Sequence, residues 1–141
     1  MPIDTRTRIV KGNARSRGTM EAKVTITNTP EVDFVADFVL YARIEDAIHL
    51  YGDQGTPPDL TAIEAILEAG TPSGKHVFGG GRLRILDFYT LGSSMPWKTT
   101  DGYVDVTFSP DGKRAEGTML INAMRDNQTL TASVKFDIRN L

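Results

Sequence analysis

From Gly102 to Asn140 the chain alternates apolar and polar residues with the period of a β-strand, interrupted by two turn sequences. Val104, Val106 and Phe108 precede Ser109-Pro110-Asp111-Gly112, and Ala115, Gly117, Met119, Ile121 and Ala123 follow it. Proline presets φ at the second turn position, aspartate bonds its own backbone, and glycine accepts conformations that a Cβ forbids. A second turn around Asp126-Asn127-Gln128-Thr129 leads into Leu130, Ala132, Val134, Phe136 and Ile138. The pattern predicts a three-stranded meander over 102–140 with one apolar and one polar face. A four-residue first turn sets Phe108 opposite Lys113 and Val106 opposite Ala115. The second turn sets Ile121 opposite Val134. A slip of one residue would carry each apolar series to the wrong face.

In that register the polar face holds Asp105 opposite Glu116, and Glu116 opposite Arg139, with Asp137 one pair along. Opposed carboxylates repel unless a cation, a shared proton or an arginine compensates. The row Asp105, Glu116, Arg139 is therefore a candidate weak cation site or acid/base pair. The alternation itself favours a plainer reading, a solvated sheet face on which Arg139 neutralises Glu116.

Upstream, Met20, Ala22, Val24 and Ile26 alternate with Thr19, Glu21, Lys23 and Thr25, a half-buried strand, and Thr5 to Val10 reads as a shorter one. Val32 to Arg43 is apolar on both sides, as a central or covered strand is. Ile44 to Tyr51 fits one helical turn nearly as well as a strand, and its type stays open. Behind Thr56-Pro57-Pro58-Asp59, the residues Leu60, Ile63, Ile66 and Leu67 recur at helical spacing and Gly70 ends the run. That spacing predicts an amphipathic helix over 59–69. Gly79-Gly80-Gly81 lacks the lysine and hydroxyl of a phosphate loop and reads as a tight corner. In the strand Arg82–Thr90 the apolar phase slips, as at a β-bulge. The expected architecture is one domain over 1–141, mainly β (β-rich α+β). It is an antiparallel barrel or sandwich of about seven or eight strands with that single helix.

The absence of cysteine excludes a disulfide framework, a thiol nucleophile and a zinc–thiolate site. Met1-Pro2-Ile3-Asp4 and the basic residues after it lack the apolar core of a signal peptide, and no segment has the length of a membrane span. A cytoplasmic location without a membrane partner is expected, although export by another route would leave the same sequence. The net charge of −2 hides a strong polarity. Residues 1–23 hold six bases (Arg6, Arg8, Lys11, Arg15, Arg17, Lys23) against Asp4 and Glu21, and residues 31–70 hold nine acids against Arg43. The basic segment could bind nucleic acid, lie on the protein's own acidic middle, or contact a neighbouring subunit. No aromatic platform is interleaved with it, which argues against nucleic acid. Arg6, Arg8, Arg15 and Arg17 are the candidate interface residues.

Catalytic motifs are few. Ser93 and Ser94 follow Gly92 without completing a nucleophile elbow, and His49 and His76 sit in different segments. Glu45, Asp46 and His49 would share a face only if their segment were helical. No cofactor or metal motif is present. Large side chains from several strands (Phe38, Phe88, Met119, Phe136), with His76 and Trp97 on flanking loops, would line and rim a cavity if the sheet closed as a calycin-like barrel. Trp97 follows Met95-Pro96, without the Gly-x-Trp sequence of lipocalins. The expected function is a non-catalytic binding or assembly module acting as a homo-oligomer or through a protein partner. The alternatives are a barrel holding a small apolar ligand, and a small acid/base enzyme using a His/carboxylate pair.

Overall fold

The computed structural model describes residues 16–44, 46–56, 58–90 and 95–140. Among these the chain forms ten strands and no helix. They are β1 (Ser16–Ile26), β2 (Val32–Val35), β3 (Phe38–Ile44), β4 (Ala47–Gln54) and β5 (Thr61–Glu68), then β6 (Gly74–Val77), β7 (Leu83–Tyr89), β8 (Lys98–Phe108), β9 (Arg114–Arg125) and β10 (Gln128–Asn140). Six of them pair in the order β2-β1-β10-β9-β8-β6, and four in the order β3-β4-β5-β7. All pairings are antiparallel. The sheets stack as a sandwich rather than closing as a barrel, so the barrel form of the expectation falls.

The core lies between the sheets. One inner face supplies Met20, Ala22, Phe34, Val104, Met119, Ile121, Val134 and Phe136, and the other Val39, Tyr41, Leu50, Ile63, Leu67, Leu86 and Phe88. Cross-sheet bonds tie the layers. The Ser16 hydroxyl accepts the Tyr41 N–H at 2.9 Å, Tyr41 OH donates to the Gly112 carbonyl at 2.9 Å, and Trp97 N–H donates to the Phe88 carbonyl at 2.9 Å. Gly52 leaves room for Met20 to cross the layer, since a Cβ there would stand 2.8 Å from the Met20 sulfur.

Segment 59–69 is not a helix: residues 61–68 are β5, a central strand of the four-stranded sheet. The positions that recur at helical spacing belong to a nearly continuous apolar run, Ala62-Ile63-Glu64-Ala65-Ile66-Leu67, which a strand covered on both sides also requires. Val32–Arg43 is not one strand. It breaks at Ala36-Asp37, where Ala36 N–H bonds the Met20 carbonyl and Asp37 N–H the Asp53 carbonyl, and the chain passes from one sheet to the other. Of the segment 44–51, Ile44 ends β3, Asp46 turns at φ 62° and residues 47–51 belong to β4, and Gly74–Val77 is a short edge strand within the expected loop. The expected bulge is present: Ile66 pairs with Ile85 and Leu67 with Leu83, leaving Arg84 extra. The triple glycine is the corner between β6 and β7, with Gly79 and Gly81 at φ 86° and 105°. The expected strand at Thr5–Val10 lies outside the described residues.

The meander is β8, β9 and β10, with its two faces as expected and its register shifted by two. Ser109 N–H bonds the Arg114 carbonyl, which sets Phe108 opposite Ala115, and the second turn closes at Arg125 and Gln128, which sets Ile121 opposite Ala132.

Candidate functional site: the open face of the six-stranded sheet

Polar residues of the strand alternation fill the outer face of the six-stranded sheet, and the pairing lays them in rows. One row reads Val35, Glu21, Lys135, Thr118, Asp105, Lys75, from edge to edge. The next reads Asp33, Lys23, Ser133, Leu120, Tyr103, Val77. Tyr103 and Leu120 make an apolar centre, with Val35 and Val77 exposed by 50% and 53% on the two edge strands. Lys75 Nζ stands 4.2 Å from the Tyr103 ring centroid, a cation–π contact, and Lys23 meets Asp33 at 2.7 Å. A groove of about 490 Å³ runs over this centre. A second hollow of about 460 Å³ adjoins it, sharing Glu21, Thr118 and Lys135.

The two-residue shift takes the predicted charged row apart. Asp105 faces Thr118 and Lys75, Glu116 faces Thr107 and Asp137, and Arg139 stands between Arg17 and Arg114. The acids are instead gathered by Arg114, which sends two hydrogen bonds to Asp137 at 2.7 and 2.9 Å and one to Glu116 at 3.0 Å. Its fork geometry suits a carboxylate, and the guanidinium holds the Asp137 carboxyl below its ordinary range. Arg17, exposed in β1, joins Arg139 and Arg114 in a basic row at one end of the face. The other candidate interface residues, Arg6, Arg8 and Arg15, lie outside the described residues.

The six candidates for a cavity do not come together. Phe88, Trp97, Met119 and Phe136 are 2–4% exposed within the inter-sheet core. Phe38 lies on the outer face of the other sheet against Tyr51, ring centroids 6.1 Å apart. His76 is on the edge strand β6, its Nε2 at 2.7 Å from the Pro72 carbonyl. Of the trio Glu45, Asp46 and His49, Asp46 is in the β3–β4 turn and His49 in strand β4, so the helical face that these two would share does not form, and Glu45 lies outside the described residues. Ser93 and Ser94 lie outside them too.

A cluster that the strand and helix periods did not reveal lies on the outer face of the four-stranded sheet. One row holds Leu40, Tyr51, Glu64 and Asp87, and its neighbour Phe38, Asp53, Ala62 and Tyr89. Tyr51 OH donates to Asp53 Oδ2 at 2.8 Å, and burial lifts the Asp87 carboxyl to about 6 against a hydrogen bond from Tyr89 that lowers it. The sequence signal was available: acids spaced within runs of β-branched and aromatic residues, at Asp53, Glu64 and Asp87. Among the described residues no three His, Asp or Glu side chains are placed to hold a metal ion. No described helix is long and apolar enough to cross a membrane.

The chain matches no protein-family model, no curated protein sequence and no solved structure.

Proposed function

We propose that this protein is a non-catalytic assembly module that pairs with a second copy of itself through the open face of the six-stranded sheet. The observation that carries the reading is the make-up of that face. Its centre is apolar, Tyr103 and Leu120, and its surround mixes signs: Glu21, Asp33 and Asp105 with Lys23, Lys75 and Lys135. A surface for nucleic acid or an anionic membrane carries one sign. A mixed surface with an apolar centre can be complementary to itself about a two-fold axis.

Size supports the same reading. Three inter-strand spacings between strands of eleven or more residues, with a four-residue edge strand on either side, give a face of roughly 600–700 Å², within the range per partner of a standard interface. The short edge strands β2 and β6, four residues each, offer little template for strand addition, so association face to face is favoured over edge to edge. Light scattering across a dilution series tests the reading. A dimer that is weakened by Leu120→Lys without loss of thermal stability supports it; a monomer throughout sinks it.

A further inference from the structure

Charge on the open sheet face alternates along the strands as well as across them. Glu21 and Lys23 are successive outward residues of β1, both exposed. The groove of about 490 Å³ is lined by the two rows that hold them, so it crosses the strands between those rows. Asp137 and Glu116 follow on one side, joined by Arg114, and the basic row Arg17, Arg139, Arg114 lies beyond them.

A two-fold axis that lays this face on its own copy lies in the plane of contact, and two stackings keep the strands of both copies aligned. An axis along the strands sets β1 over the partner's β8, and β10 over its β9. Glu21 then stands on the partner's Asp105, Asp137 on the partner's Glu116, and Arg139 on the partner's Arg114. These are all pairs of like charge, and the symmetry makes each of them twice. An axis across the strands, along the groove, exchanges the two groove rows instead. Glu21 then meets the partner's Lys23, Lys135 the partner's Ser133, and the Tyr103 hydroxyl the partner's Asp105 carboxylate. The basic row falls on the neutral row Thr27, Thr129, Met124.

We propose that the two copies pair about a two-fold axis that crosses the strands between the Glu21 and Lys23 rows, with a Glu21–Lys23 ion pair on either side of it. This orientation rests on the self-association reading of the same face and adds the partner residue that each group meets. The apolar centre supplies area, and the charges reject the other stacking. The Lys23 ammonium has three donors, enough for Asp33 of its own chain, 2.7 Å away, and for the partner's Glu21.

The absence of cysteine lets one nitroxide label report the distance between a site and its own copy in the full-length dimer. Met124 lies two rows beyond Leu120 on β9, and Val77 lies on the edge strand β6, both exposed. With rows about 6.8 Å apart, strands about 4.8 Å apart and facing sheets about 10 Å apart, the proposed axis sets Met124→Cys labels about 35 Å from each other and Val77→Cys labels about 12 Å. The axis along the strands gives about 11 Å and about 26 Å instead. Pulsed dipolar spectroscopy reads the long distances, and line broadening the short ones. A long Met124 distance with a short Val77 distance is the expected result. The reverse order, or two intermediate distances as in crossed sheets, overturns the proposal while leaving self-association standing. A monomer without a dipolar signal at either site overturns self-association and the orientation with it.

Charge reversal supplies a second reading. Glu21→Lys and Lys23→Glu, each alone, should raise the dimer dissociation constant about tenfold, and an equal mixture of the two should restore it, because the mixed pair remakes both contacts. The axis along the strands predicts the opposite sign for Glu21→Lys, a tighter dimer against the partner's Asp105. A tighter or unchanged Glu21→Lys dimer overturns the proposal.

Discussion

Glu64 and Asp87 stand directly opposite each other in neighbouring strands of the four-stranded sheet, two carboxyl groups on one face. Burial raises Asp87 to about 6 from 3.8, and a hydrogen bond from the Tyr89 hydroxyl on its own strand opposes the rise. Between pH 4 and pH 6 the folded protein therefore keeps a proton that the unfolded chain releases. Stability falls as pH rises through that window and levels off above it. Asp87→Asn removes the effect. Its stability should match the parent near pH 4 and exceed it at pH 7, by about 1–2 kcal/mol once solvent screening of a part-exposed group is allowed for. Thermal melts of both proteins from pH 4 to 8 check this. Parallel curves would contradict the assignment.

Gly117 sits in β9 at φ +155°, where a Cβ would lie 1.8 Å from the Asp105 carbonyl oxygen of the next strand. Gly112, in the turn before it, has φ +73° and open space around the missing Cβ. The two glycines separate backbone preference from collision. Gly112→Ala should cost about 1 kcal/mol, the ordinary cost of a side chain in the left-handed region. Gly117→Ala must also push β8 and β9 away from each other inside the six-stranded sheet, and should cost about 3 kcal/mol or more. Urea unfolding of the pair gives both numbers, and equal losses would contradict the account.

Ser16 joins the layers with one hydroxyl. It accepts the Tyr41 N–H at 2.9 Å and reaches Asn140 Oδ1 at 2.7 Å. Ser16→Ala leaves a part-buried N–H on β3 without its acceptor, which costs about 1–2 kcal/mol. Amide hydrogen exchange localises the effect: faster exchange at Tyr41, with β8 and β9 unchanged.

The strand alternation made the two faces of the meander legible and left its register open by two. A period of two distinguishes a slip of one residue and is blind to a slip of two, because Val106 against Ala115 and Val106 against Gly117 both keep apolar faces together. Only the closing pairs of the turns decide it, and there Asp126 takes φ 54°, a left-handed conformation that aspartate tolerates and that closes the loop in two residues. The helix expectation failed for a related reason. Leu60, Ile63, Ile66 and Leu67 match a helical stripe, yet Ala62 and Ala65 between them are also fully buried, as in a strand with both faces buried, and the segment pairs with β4 and β7. The acidic face stayed hidden because at helical spacing Glu64 falls on the side away from the apolar stripe, and Asp53 stands between Gly52 and Gln54-Gly55, a loop-like composition. Both readings depend on the local period, whereas their burial depends on which strands lie side by side.

The central claim is that the open face of the six-stranded sheet is a self-association surface, with Leu120 and Tyr103 at its centre. Light scattering after size-exclusion chromatography, run on the parent and on Leu120→Lys over a dilution series, tests it most directly. The account predicts a parent dimer and a variant whose dissociation constant rises by about 30-fold or more, the loss of one central contact worth about 2 kcal/mol. A parent that stays monomeric at every concentration, or a variant that dimerises as tightly as the parent, would contradict it.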